Sequence, residues 1–213
     1  MSYNQSKLNS FLDDDSISYA FNIDRKNSSF YFLFVQENKP VASINFRRTE
    51  DDEDLPYYYV DGSYARPGLG KILYYTAMMH MTKEHLPISC SLDEDIRGHA
   101  NDIWESIKND KTVIKTKLKG IFSEFEEDGF CEYCYTKKPD DVFDKILTSK
   151  NKYTDKDSIK HLIKLSNDIF YAVYEQGETP EDIKSIIDSM TVSNDEIEPS
   201  KKENKRNNIR LTP

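Results

Sequence analysis

The sequence predicts an α+β fold in which helices flank a mixed, mostly antiparallel central sheet. Short runs rich in aromatic and β-branched residues follow one another early in the chain, with brief connections between them. Consecutive strands joined in this way pair antiparallel. Helical periodicity appears in the middle of the chain and dominates after residue 138, which predicts a helical extension at the C-terminal end.

Four strands are predicted before the first long helix. The second and third are separated only by the letters ENK, so they are expected to form a hairpin. An acidic segment, Thr49–Pro56, is expected to be a loop that leads into the fourth strand. The four predicted strands are Ser16–Ile23, Ser28–Gln36, Pro40–Arg48 and Tyr57–Ser63.

A long helix is predicted directly after the fourth strand. Apolar residues cover so much of its surface that we expect a central helix packed on the sheet. Ser91 and Glu94 have the spacing of a capping box, which predicts a second helix after a short fifth strand. These elements are a helix at 69–85, a strand at 86–92, a helix from 92, and two further strands at 112–118 and 130–136.

The C-terminal part of the chain has a helical pattern that ends in a polar tail. A stripe of apolar residues runs to Gly177, and Thr179 then caps another helix with Pro180 at its first position. The tail beyond is too poor in aliphatic residues to offset the entropy of ordering it. The predicted units are a flexible N-terminus at 1–14, the α+β domain at 15–138, the helical extension at 139–191 and a disordered tail at 192–213.

The composition argues against several classes of protein. A formal net charge of -9 disfavours general nucleic-acid binding, which needs a basic surface. No apolar run approaches the length of a membrane span, and the N-terminus lacks the apolar centre of a signal peptide. We therefore expect a cytoplasmic protein with no membrane or nucleic-acid partner. Cys131 and Cys134 form a CxxC pair, but in an alternating strand they would face opposite sides, so no metal is expected.

Two of the seven glycines, Gly68 and Gly70, stand between the fourth strand and the long helix. Glycine allows close approach to the backbone, and the first turn of a helix offers unpaired N–H groups, so the pair predicts an anion site. Arg66 and Lys71 would add positive charge. The spacing fits neither a P-loop nor a dinucleotide fingerprint, and an ordinary Pro-Gly turn stays open as the alternative.

The stretch ARPGLGKILYYTAM resembles the acetyl-coenzyme A loop of the GCN5-related N-acetyltransferase (GNAT) superfamily. The family pattern is Gln or Arg, two residues, Gly, one residue, then Gly or Ala, set between the fourth strand and the central helix. Gly68 and Gly70 match the last two positions. The Gln or Arg position falls on Ala65, with Arg66 displaced by one residue.

The resemblance continues downstream and covers roughly residues 16–136. The family follows with a short fifth strand and a helix in which an Ala precedes a Tyr by four residues. Here Ala100 precedes Trp104 by the same spacing, so a tryptophan stands at the usual tyrosine position. The same text also looks like a divergent, phage-type branch of the family.

The resemblance implies an enzyme that uses acetyl-CoA to transfer an acetyl group to an amine of a protein or small molecule. Pantetheine would lie between the fourth and fifth strands, and pyrophosphate would lie on the glycine loop. The residues that the resemblance assigns to the cofactor are Val60, Gly62, Ser63, Arg66, Gly68, Leu69, Gly70 and Lys71.

Asp61 and Tyr75 are the candidate catalytic residues, as a general base and a general acid respectively. A turn-forming role for Asp61 and a core position for Tyr75 remain open. The departures at Ala65 and Trp104 support an alternative function, in which a non-catalytic protein keeps the fold for interaction with a protein partner. Such a protein could be a virus-encoded accessory or virion component, located in the host cytoplasm or the virion.

Overall fold

The computed structural model describes residues 5–48, 57–89, 99–117, 133–177 and 179–190. The helices are α1 (Gln5–Asp13), α2 (Gly70–Lys83), α3 (His99–Asn109), α4 (Asp141–Lys145), α5 (Lys156–Gln176) and α6 (Pro180–Ser189). The strands are β1 (Ile17–Asp24), β2 (Ser29–Gln36), β3 (Lys39–Arg47), β4 (Tyr58–Ala65), β5 (Ile88–Ser89), β6 (Ile114–Lys117) and β7 (Tyr133–Thr136). A π-helical turn, Ile146–Lys150, follows α4.

The strands form one mixed sheet in the order β1-β2-β3-β4-β5-β7-β6. The pairs are antiparallel except that of β4 with β5, which is parallel. The predicted α+β fold, with a mostly antiparallel sheet flanked by helices, is therefore confirmed, as is the β2–β3 hairpin. The acidic segment at 49–56, the Ser91–Glu94 capping box, Cys131 and the tail from 192 lie outside the described residues.

Helices α2 and α5 pack on opposite faces of the sheet. Phe32 of β2 contacts His80 of α2, with ring centroids 5.2 Å apart. The next residue, Leu33, clusters with Leu162 of α5. Because successive residues of a strand point to opposite faces, these two contacts place the two helices on different sides. As predicted, α2 is central, since every residue from 72 to 81 is buried.

The C-terminal helices complete the hydrophobic core around the sheet. Ile169 of α5 and Ile187 of α6 are fully buried in the same cluster as the residues of α2. The predicted cap of α6 is confirmed, because the Thr179 hydroxyl accepts from the Asp182 N–H while the Asp182 carboxylate accepts from the Thr179 N–H. The extension is thus packed on the sheet as part of the same body.

The N-terminus differs from the prediction of a flexible segment at 1–14. Residues 5–13 form α1, with Leu8 and Phe11 buried. The Phe11 ring lies 4.7 Å from that of Phe34 in β2. Leu8, Phe11 and Leu12 have the three- and four-residue spacing of an amphipathic helix, so the pattern is present in the sequence, although surrounding polar residues conceal it.

Candidate functional site

Strand β4 is paired along its length on one edge only. Its partner β3 pairs with it from Tyr59 to Ala65. On the other edge, β5 pairs only with Tyr58 and Tyr59. Beyond Tyr59 no strand in the described part of the chain covers that edge, and an uncovered strand edge is the kind of surface that an extended ligand can pair with.

A β-bulge marks the point where β4 leaves β5. Phe46 of β3 pairs with Val60, whereas its neighbour Asn45 pairs with Gly62, so Asp61 is an extra residue on β4. A bulge bends the strand and re-aims a side chain, and bulges are common next to binding sites. Asp61 is consequently turned toward the α5 face, where its carboxylate meets Asn45.

The glycine turn connects β4 directly to the start of α2. Gly68 has a φ of +90°, which side-chain-bearing residues rarely adopt, and no atom lies within 4 Å of where its Cβ would be. The first residue of α2 is Gly70, and the N-cap Leu69 provides no side-chain cap. Within the described residues, the first turn of α2 thus has no side-chain cap, and uncapped N–H groups at a helix N-terminus suit an anion.

Three of the predicted cofactor residues have roles that the sequence did not reveal. The Leu69 N–H already donates to the Arg66 carbonyl, so it is not available to an anion. The Arg66 guanidinium donates to Gln36 Oε1 at 2.6 Å and pairs with Asp188 of α6, so its charge serves to hold α6. A Cβ on Gly70 would lie 3.1 Å from Ile103 Cδ1, which gives this glycine a packing role against α3.

The other predicted cofactor residues lie along β4 and at the start of α2. Val60 is buried, and the Ser63 hydroxyl lies 2.7 Å from that of Tyr74 in α2, so both side chains face α2. Gly62 faces α5 instead. Lys71 is half-buried in the first turn of α2, with its Nζ 6.0 Å from the Tyr75 ring centroid.

Tyr75, the candidate general acid, occupies the core position that the sequence left open as its alternative. It is fully buried, and its hydroxyl donates to Asp110 Oδ2 at 3.0 Å. Burial, and next the Asp110 carboxylate, raise the pKa of Tyr75 well above its usual value. Trp104 is also in the core, 2% exposed and packed on Tyr135. Both side chains are therefore enclosed by the core.

Asp61 lines a cavity of about 150 Å³ between the sheet and α5, which we call the β4–α5 cavity. Asp61 Oδ2 accepts from Asn45 Nδ2 at 2.9 Å, and Asp61 Oδ1 lies 3.8 Å from an Arg47 guanidinium nitrogen. Strands β2, β3 and β4 form the floor, and α5 forms one wall. The lining includes Tyr31, Asn45, Arg47, Asp61, Phe170 and Tyr171.

Sequence reasoning found Asp61 but missed the residues that surround it. Asn45 and Arg47 are two apart on β3 and therefore share a face, which alternation alone could have shown. Phe170 comes from a helix more than a hundred residues further along the chain, and no local pattern links it to β4. A Cβ on Gly62 would lie 3.0 Å from Phe170 Cε2, so glycine here lets α5 approach the strand.

Neither a cluster of metal ligands nor a membrane-spanning helix is present among the described residues. They contain no group of three or more His, Cys, Asp or Glu side chains placed to hold a metal ion. Cys134 is a buried free thiol, and its burial raises its pKa. None of the described helices combines the length and the apolar character that crossing a membrane requires.

No protein-family model matches the chain, and no curated protein matches it either. Among solved structures, the chain is similar to a crystal structure of a protein of unknown function from Aquifex aeolicus VF5. The sequence identity is 15%, the match covers 81% of this chain and 89% of that chain, and the TM-score is 0.24. A likeness this weak carries no argument, so the function rests on the residues of the site.

Proposed function

We propose that the protein is an acetyl-CoA-dependent N-acyltransferase of the GNAT type, which transfers an acetyl group to an amine. One observation carries the proposal: within the described residues, which break off at Ser89, β4 has no parallel partner beyond Tyr59, and this edge leads through Gly68 into a helix whose N-cap residue makes no side-chain cap. An extended chain that ends in a phosphate group requires these two features in this order. The backbone of a strand edge can form hydrogen bonds with the amides of such a chain. The N–H groups at a helix N-terminus can bind its phosphates.

The residues present are compatible with acetyl-CoA. Peptide groups of Val60, Gly62 and Ser63 lie on the stretch of β4 that β5 leaves uncovered. The open space at Gly68 and the N–H groups of Gly70 and Lys71 suit a pyrophosphate, and Lys71 adds charge. When bound, acetyl-CoA supplies an activated thioester whose acyl carbon an amine can attack.

Asp61 is the residue that we assign to proton transfer in the proposed reaction. Its carboxylate is more than a third accessible and lies on the bulge, two residues beyond the last contact of β4 with β5. Asn45 holds one of its oxygens, which leaves the other able to accept a proton from an ammonium group. Tyr75 and Trp104 are not proposed as acids, because both are enclosed in the core.

The proposal is tested by calorimetric titration with acetyl-CoA, using two variants of the same glycine. Gly68→Asp places a negative charge where pyrophosphate would bind, and Gly68→Asn adds a side chain of the same size without the charge. Both variants share the backbone strain of a positive φ, and among the described residues no atom beyond the chain neighbours lies within 4 Å of the added Cβ. We expect the aspartate variant to bind at least about tenfold more weakly than the asparagine variant.

Two results would contradict the proposal: no binding by the folded wild-type protein, or equal binding by the two Gly68 variants. Circular dichroism and a thermal melt of each variant show whether it is folded. If acetyl-CoA does bind, release of the free thiol in the presence of amines then tests the transfer itself. Asp61→Asn should slow that release without weakening acetyl-CoA binding.

A non-catalytic protein of the same fold is the second candidate, and one observation favours it. Tyr171 and Tyr174 of α5 are 64% and 50% exposed, beside the partly buried Phe170. Exposed tyrosines are enriched where proteins bind one another. A folded wild-type protein that fails to bind acetyl-CoA would favour this candidate, and α5 would be the surface to probe for partners.

A further inference from the structure

We propose that the β4–α5 cavity binds an α-amino acid, with its ammonium group on Asp61 and its carboxylate on Arg47. The inference deepens the proposed function, because it names the class of amine acceptor, and in that respect it rests on that function. The binding itself needs no acetyl-CoA and can be measured separately. The charges of the two side chains, their geometry and the space beside them support this site.

Asp61 and Arg47 are oppositely charged neighbours that form no hydrogen bond with each other. Their nearest atoms are 3.8 Å apart, and their side chains are 35% and 54% exposed. An exposed pair at this distance contributes little to stability, so a ligand can replace the interaction at small cost. Among the described residues, the pair thus leaves a carboxylate oxygen and a guanidinium with no hydrogen-bond partner, as a ligand site requires.

Asn45 fixes the orientation of the Asp61 carboxylate. Its amide donates to Oδ2 at 2.9 Å, whereas Oδ1, the oxygen on the Arg47 side, accepts no hydrogen bond within the described residues. A carboxylate held by one oxygen presents the other in a defined direction. An ammonium group, which has three donors and no acceptor, is the complementary ligand for that oxygen.

The Arg47 guanidinium restricts which cationic ligands can bind to the Asp61 carboxylate. An isolated cation would be repelled by Arg47, and an isolated anion by Asp61. A molecule that carries both an ammonium and a carboxylate on one carbon atom satisfies the two side chains together, and the carboxylate can be bound by two parallel N–H groups of Arg47. This arrangement favours a zwitterion over either single charge.

The cavity limits the size of the ligand and the nature of its side chain. A volume of about 150 Å³ is comparable to that of an engineered protein cavity that binds benzene. Tyr31 and Ser43 contribute hydroxyl groups to the lining, while Phe170 provides an aromatic surface. A small or medium side chain with some polar character fits these walls.

The position of the cavity agrees with a role for the bound amine in the proposed reaction. Asp61 lies two residues beyond Tyr59, which is the last residue of β4 paired with the described part of β5. The uncovered edge of β4 and the β4–α5 cavity therefore meet at the same few residues of one strand. An amine held on Asp61 would stand beside the edge that the proposal gives to the acyl donor.

The experiment measures binding of the common L-α-amino acids, one at a time and without acetyl-CoA, by NMR titration of the full chain. We expect at least one to shift the signals of Gly62 and Phe170. The tightest binder is then compared with its carboxamide and its N-acetyl derivative, which lack the carboxylate and the ammonium charge respectively. Each derivative should bind at least about tenfold more weakly.

Variants test whether the two charged residues form the site. Asp61→Asn and Arg47→Gln should each weaken binding at least about tenfold. Asp168→Asn on the exposed side of α5 changes the net charge by the same amount as Asp61→Asn and should bind like the wild type. Spectra of the free proteins establish that each variant is folded.

Several outcomes would overturn the inference: no binding by any amino acid, equal binding of the carboxamide, or full binding by the Asp61 and Arg47 variants. The results also separate this inference from the proposed function. Acetyl-CoA binding without amino-acid binding would reject the inference alone. Amino-acid binding without acetyl-CoA binding would reject the transferase and keep the cavity as a binding site.

Discussion

The two faces of the central sheet differ in how tightly they are packed. Beneath α2 the strands present rings such as Phe32 and Phe46, both fully buried. Beneath α5 the adjacent positions of the same strands carry Tyr31, Asn45 and Arg47, which line a cavity. Close packing supplies stability, whereas a cavity with polar groups supplies room for a ligand. The alternation of side chains along two strands thus divides stability and binding between the two faces.

The largest expected effect comes from emptying a position beneath α2. Phe32→Ala should destabilise the protein by about 3–5 kcal/mol, because it leaves a cavity among rings that include His80 and Phe46. Tyr31→Ala, one residue earlier on the other face, should cost about 1 kcal/mol or less, since its side chain already borders open space. Urea denaturation of both variants measures the difference, and similar costs would contradict the comparison.

His80 should make the α2 face sensitive to acid. It is 4% exposed, its Nδ1 lies 3.1 Å from the Tyr19 hydroxyl, and burial lowers its pKa from 6.5 to about 4. The unfolded chain therefore binds a proton that the folded chain does not bind, so stability falls as the pH decreases from 6.5 toward 4. The loss should approach about 3 kcal/mol at the lower end of that range.

A His80→Gln variant isolates this effect, because glutamine can still accept a hydrogen bond from Tyr19 but does not titrate. Unfolding free energies are measured at several pH values from 7 to about 4. The wild type should lose more stability than the variant over that range. Parallel curves for the two proteins would show that His80 does not cause the acid sensitivity.

The smallest expected effect lies beneath α5, at a hydrogen bond that connects this helix to strand β4. The Tyr64 hydroxyl donates to Ser166 Oγ at 3.3 Å, and both side chains are buried. Tyr64→Phe should destabilise the protein by about 1 kcal/mol, because the serine hydroxyl loses its partner. Lys164→Ala on the exposed side of α5 should change stability by less than about 0.5 kcal/mol. Thermal melts can rank the stability losses of the two variants. A larger loss for Lys164→Ala would contradict a stabilising role for the Tyr64–Ser166 hydrogen bond.

Local patterns in the sequence predicted the elements that depend on nearby residues. Alternation marked the strands from β1 to β4, the apolar surface of α2 marked it as central, and Thr179 with Asp182 marked the start of α6. The glycine turn was also predicted, because Gly68 precedes a helix directly after a strand. In each of these cases the determining residues lie within a few positions of one another.

The contacts that the sequence did not reveal join site residues to partners far along the chain. Arg66 pairs with Asp188, 122 residues later, and Tyr75 bonds to Asp110, 35 residues later. No periodicity or spacing in the sequence contains these pairings, because tertiary packing brings the partners together. The β4–α5 cavity was missed for the same reason, since Phe170 and Tyr171 reach it from α5.

The extra residue in β4 has a consequence for insertions and deletions. Val60 and Gly62 already pair with the adjacent residues Phe46 and Asn45, so a chain that lacked Asp61 could align with β3 as an unbroken ladder. Every other side chain of β4 would keep its face. An added residue in the regular part of the strand would instead turn one half of it over. Deletion of Asp61 would therefore leave the register of β3 and β4 unchanged. The β4–α5 cavity would lose only the Asp61 carboxylate.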